Sequence, residues 1–65
     1  MKVEVRYDRE VDAAYLRFGV GEVRATLDLG DSDARLPFLV DFDDEGRILG
    51  IEILEASVRL CADAV

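Results

Sequence analysis

The chain has 65 residues, 51% of them hydrophobic, and a formal net charge of −7; this length makes one domain, spanning 1–65, with a modest core. There is no histidine and a single cysteine, Cys61, which excludes a histidine-based triad, an internal disulfide and a zinc site of the usual kind. The acidic balance repels phosphate backbones, so no direct nucleic-acid binding is expected.

A core this small is marginal by itself and normally gains a disulfide, a metal or a second subunit. With the first two removed by composition, the surplus of apolar residues points to a homo-oligomer, most simply a two-fold dimer. Met1-Lys2-Val3-Glu4-Val5-Arg6 alternates charge with valine and lacks the apolar run of a signal peptide. No stretch approaches membrane-spanning length. The expected location is cytoplasmic, without membrane contact, and a lone thiol fits a reducing compartment.

In chain order, Val3, Val5 and Tyr7 alternate with Lys2, Glu4 and Arg6, the period of a strand with one dry and one wet face. Asp8-Arg9-Glu10 interrupts it. Ala13 to Phe18 makes a second strand that stops at Gly19-Val20-Gly21, so the first pair reads as a hairpin and the glycine pair as the next turn. Val23, Ala25, Leu27 and Leu29 alternate with Glu22, Arg24, Thr26 and Asp28 as a third strand, followed by a loop of turn formers over 30–35.

Pro37 stands at the start of a fourth strand, where a missing donor is tolerated, and Phe38, Val40 and Phe42 share one face of it. Asp43-Asp44-Glu45-Gly46 reads as a turn with Gly46 at positive φ. The fifth run, Arg47 to Leu54, sets Leu49, Ile51 and Ile53 against Glu52, with Gly50 marking a bulge. Ala56, Leu60 and Ala64 are then spaced by four with Cys61 beside them, a short helix with Ser57 as its N-cap. A helix of this length cannot stand alone and must pack on the sheet. The predicted architecture is α+β: a small antiparallel five-stranded sheet of hairpins or meander, carrying one short C-terminal helix.

One motif carries a candidate metal site. Asp41-Phe42-Asp43-Asp44-Glu45-Gly46, followed at the right distance by Glu52, departs from the calcium-loop template only at Glu45. That template needs oxygen ligands converging from a loop between two helices, and both flanks here read as strands. A solvated acidic turn is therefore expected, with weak candidate ligands at Asp41, Asp43, Asp44 and Glu52. Cys61 has apolar neighbours and no activating base, which predicts a buried structural thiol. Tyr7 and Tyr15 are expected to be half-buried strand residues whose hydroxyls reach the rim. Carboxylates are plentiful, yet a small sheet with one helix offers little concave volume for a catalytic pair, and no catalytic residue or cofactor is assigned.

Two segments carry a resemblance. Tyr7 to Leu16 resembles the "Y-D-x-E-x-D-A-x-Y-[IL]" opening of the YuzE-like family, and Val40 to Ser57 resembles its "V-D-x-D-x-x-G-x-[IV]-x-G-[IF]-E-[IL]-L-x-A-S" hairpin. Together they cover most of the chain in the family's order; the segment from Gly19 to Leu36 is longer and less typical. The family consists of small bacterial and archaeal proteins of unknown function, so the resemblance implies the fold and no activity. The placement of some relatives beside small toxin-like proteins implies an antitoxin-like role. In the first segment Asp8, Glu10 and Asp12 flank a turn, where Asp12 is expected to accept backbone N–H bonds. Three functions follow as expectations: a non-enzymatic interaction module whose acidic surface receives a basic partner protein, a self-assembling or ligand-binding domain without catalysis, and a weak divalent-cation binder.

Overall fold

The alternating runs do form strands. The computed structural model describes residues 2–61, with β1 at Glu4–Asp8, β2 at Ala13–Arg17, β3 at Ala25–Asp28, β4 at Phe38–Phe42 and β5 at Ile48–Leu54. A helix, α1, at Ala56–Arg59 closes the described chain, and a single 3₁₀ turn, Leu29–Asp31, separates β3 from β4. The five strands make one antiparallel sheet in the order β1-β2-β5-β4-β3. The fold is the expected α+β one, with α1 packed on β2 and β5.

Strand order departs from sequence order at the glycine pair. The first hairpin forms, with Val5 opposite Leu16 and Tyr7 opposite Ala14. Gly19-Val20-Gly21, expected as the next hairpin turn, instead opens a crossover, because the second neighbour of β2 is β5. β5 is the longest strand, seven residues, and the one holding Leu49 and Ile53 in buried positions. The strand with the most buried positions takes the centre. Residues 18–24 then step across three inter-strand spacings, about 14 Å, to place β3 at the far edge.

Register assigns the two faces. Val5, Leu16, Ile51, Val40 and Leu27 stand in one row across all five strands. The next row runs Tyr7, Ala14, Ile53 and Phe38. This apolar face carries the core: Ala14 and Ile53 meet Ala56 of α1, flanked by Leu16, Phe38, Ile51 and Leu60. The opposite face is polar, with rows Glu4–Arg17–Gly50–Asp41–Thr26 and Arg6–Tyr15–Glu52–Leu39–Asp28.

Four local expectations change. Leu29 leaves the third strand for the 3₁₀ turn, because Asp28 caps that turn by accepting the Gly30 N–H at 2.8 Å. Leu49 does not share a face with Ile51 and Ile53. The register slips between Asp41 and Phe42, so that Asp41 pairs with Gly50 and Phe42 with Ile48. This bulge turns Leu49 toward Gly19 and Gly21, beside Tyr15 and Arg17. Ser57 is not the N-cap; Glu55 holds that position at φ 52°, and α1 is four residues long, with Ala64 lying outside the described residues. Cys61, expected to be buried, is exposed, because α1 ends before it at an extended Leu60.

Candidate functional site

The first cluster joins the two ends of the sequence. Asp12, at φ 53° in the turn between β1 and β2, accepts the Ser57 N–H at 3.0 Å and the Ser57 hydroxyl at 2.6 Å. The Tyr7 hydroxyl donates to the same carboxylate at 2.7 Å, and the Asp12 carbonyl accepts the Ala56 N–H at 2.9 Å. Asp12 therefore caps α1 from another segment. Its expected role as an acceptor of backbone N–H bonds holds, but the donor lies across the fold; the local turn is made by Asp8, which accepts the Glu10 N–H. Aspartate suits both demands, since it tolerates the left-handed region and supplies two acceptor oxygens.

These bonds hold the Asp12 carboxyl below its usual range, the Ser57 hydroxyl first and the Tyr7 hydroxyl next. A group whose folded-state pKa is depressed adds stability above its unfolded value, and that stability is lost as pH falls through the folded value. We expect Asp12→Ala to lower the urea midpoint at pH 7, with the gap to wild type narrowing as pH falls toward about 2. Asp12→Asn, which keeps the backbone preference and one acceptor, should fall between them. A gap that is constant with pH would show that the carboxylate charge plays no part.

A second cluster lies on the polar face. Tyr15 stretches across β5 directly over Gly50 and donates its hydroxyl to Asp41 Oδ2 at 2.8 Å, while the Thr26 hydroxyl donates to Asp41 Oδ1 at 2.6 Å. Burial, and then the bond to Asp41, pushes the Tyr15 hydroxyl up to about 12. It therefore remains a protonated donor at any physiological pH. From β4, Asp41 thus ties its neighbour β3 to β2, which lies on the far side of β5.

The weak metal candidates do not come together. Asp41 is held by Tyr15 and Thr26. Asp43 accepts the backbone N–H groups of Glu45 and Arg47, both at 2.9 Å, and pairs with the Arg47 guanidinium at 2.9 Å. The Arg47 N–H is the chief reason the Asp43 carboxyl sits below its usual range. Asp44 is exposed in the turn, and Glu52 lies on β5 between Tyr15 and Leu39. Among the described residues no three histidine, cysteine, aspartate or glutamate side chains converge. The turn is the hairpin that the flanking strands predict, with Gly46 at φ 76°.

The polar face itself is the remaining feature. Its strand positions carry five carboxylates (Glu4, Asp8, Asp28, Asp41 and Glu52) against two guanidinium groups, Arg6 and Arg17. Arg6 pairs with Glu4 at 3.0 Å, and Arg17 donates to the Gly19 carbonyl at 2.8 Å. The Glu52 side chain, at the middle of the face, has no hydrogen-bond or ion-pair partner among the described residues. At one corner a hollow of about 400 Å³ is bounded by Lys2, Glu4, Arg17, Phe18, Gly19 and Val20. No helix of the described residues is long and apolar enough to cross a membrane.

Both clusters join the two motifs read in the sequence: Asp12 with Ser57, and Tyr15 with Asp41 and Gly50. Over residues 4–57 the chain matches a family described as protein of unknown function, DUF2283. It is 42% identical over 57 residues to an uncharacterized protein of Methanocaldococcus jannaschii, across 88% of this chain. The match spans only 44% of that relative's length, so the chain accounts for less than half of it. No solved structure matches.

Proposed function

The chain belongs to the DUF2283 family, proteins of unknown function, and from that premise we propose that it is an interaction module, not an enzyme, whose polar sheet face takes a basic partner protein. The observation that carries this reading is the arrangement of charge on that face: five carboxylates against two arginines, with Glu52 unpaired at its centre. The two tightest side-chain clusters are committed to joining elements of the fold, which accounts for Asp12, Tyr15, Asp41 and Ser57 without a ligand.

A surface of this sign attracts cationic surfaces and repels phosphate, which favours a protein partner over a nucleic acid. In the antitoxin-like form of this reading the partner is a small basic toxin. The finer YuzE-like grouping rests on the two motifs alone, and a cytoplasmic setting accords with the lone exposed thiol at Cys61.

The test is co-purification of the tagged full chain from its host, followed by association kinetics with whatever basic protein is recovered. Association should slow steeply with ionic strength, and Glu52→Lys should reduce the rate about tenfold at low salt. Recovery of no basic protein, or a rate indifferent to both salt and Glu52→Lys, sinks the reading.

A further inference from the structure

Among the described residues every strand position on the apolar face is uncharged, from Val5 and Tyr7 on β1 to Ala25 and Leu27 on β3. The four residues of α1 cover only the end near Ala14 and Ile53. Beyond that end the face is open at its margins and half-covered at its middle: Val5 is 64% exposed, Leu27 51% and Ile48 50%, while Leu16, Ile51 and Val40 between them are half-buried. Among the described residues the buried hydrophobic side chains are Ala14, Leu49, Ile53 and Ala56, and of these only the small Ala56 is wholly free of solvent. A sheet needs a second layer on its apolar face, and here the described residues supply a single helical turn of it.

We propose that the missing layer is a second copy of this chain, the two apolar faces packing against each other as a two-fold β-sandwich. Area supports this occupant. The chain exposes 5096 Å², whereas a compact monomer of 7.2 kDa exposes roughly 4100 Å². The surplus, on the order of 1000 Å², is close to the ~800 Å² that each partner buries in a standard interface.

Shape and charge favour self-association as well. The row Val5, Leu16, Ile51, Val40, Leu27 holds branched aliphatic side chains of similar size with the strand of greatest burial at its middle. A two-fold axis near Ile51 lays each row on its own copy, and sheets stacked this way sit about 10 Å apart. No charge needs a partner inside such an interface. The carboxylates of the polar face then point outward on both sides, as far apart as the sandwich allows. This inference does not depend on the basic-partner reading, and either can fail alone.

Sedimentation of the full chain from micromolar to near-millimolar concentration tests it. The expected result is a dimer whose thermal midpoint rises with protein concentration, as mass action requires. Leu27→Glu and Val5→Glu alter side chains already exposed in the single chain, so the circular dichroism of each should stay native. Each should raise the dimer dissociation constant about 30-fold or more by carrying a carboxylate into the interface. Val20→Glu, on a residue 91% exposed in the crossover, should change it little.

A chain that is monomeric at the highest concentration overturns the proposal. So does a dimer that survives both face variants, which would place the contact at the open edges of β1 or β3. Should either variant lose its fold, the concentration dependence of the wild-type midpoint decides the matter; a midpoint that does not move overturns it.

Discussion

Gly50→Ala should cost about 3 kcal/mol or more of stability, enough to leave a domain of this size largely unfolded. The position is buried, and a methyl group built there meets the Tyr15 hydroxyl and ring carbon Cζ, with the Leu16 carbonyl oxygen 2.8 Å away. Tyr15 cannot swing aside cheaply, because its hydroxyl is spent on Asp41 in a half-buried setting. Urea unfolding at one fixed protein concentration measures the loss. Tyr15→Leu in the same chain should recover part of it, since the ring contact disappears while the Leu16 contact stays. A Gly50→Ala protein as stable as wild type would mean that Tyr15 does not lie over this glycine.

Ala56→Leu is the second large effect expected, about 1–3 kcal/mol of destabilisation. Ala56 has no exposed surface and meets Ala14, itself 2% exposed, so α1 approaches β2 through two methyl groups. A leucine must either push the helix off the sheet or strain its own rotamer. Lifting α1 also stretches the Asp12 bonds to Ser57, which belongs to the same helix. Val58→Leu on that helix, at a side chain 72% exposed, is the control and should stay within about 0.5 kcal/mol of wild type. Equal effects at both positions would show that the helix has no closely packed face.

Strand content was legible because the alternation is clean on both sides of the Asp43–Gly46 turn. Leu27 against Thr26, and Val40 against Asp41, need no tertiary information to be set on opposite faces. The bulge at Gly50 was legible too, but its consequence for Leu49 was not. A slipped register moves a side chain to the other face, and that slip exists only between two paired strands. The crossover at Gly19–Gly21 is not legible in the sequence for a related reason. A glycine-rich break marks a change of direction without saying which strand comes alongside next.

The two side-chain clusters were visible only as residues of two motifs, and Thr26 lies in neither. Asp12 looked like a local turn acceptor, and nothing in its neighbourhood names Ser57, forty-five positions away, as the donor. Asp41 looked like a first metal ligand because its spacing to Asp43 and Glu52 suits one. The sheet instead hands it two hydroxyl groups from strands on either side. The buried expectation for Cys61 rests on its apolar neighbours and the lack of an activating base; the helix stops at Arg59 and the thiol is exposed.

By itself the sequence determined the strands, the turn at Gly46, the terminal helix and the acidic character, because each depends on neighbours one to four residues apart. The tertiary structure alone decided that β5 lies at the centre, that Asp12 caps α1 and that Tyr15 covers Gly50. It also decided that an uncharged face is left open at its edges and only half-covered at its middle. Those outcomes depend on which segments pair, and pairing is settled by burial summed over the whole sheet, a quantity no local pattern contains.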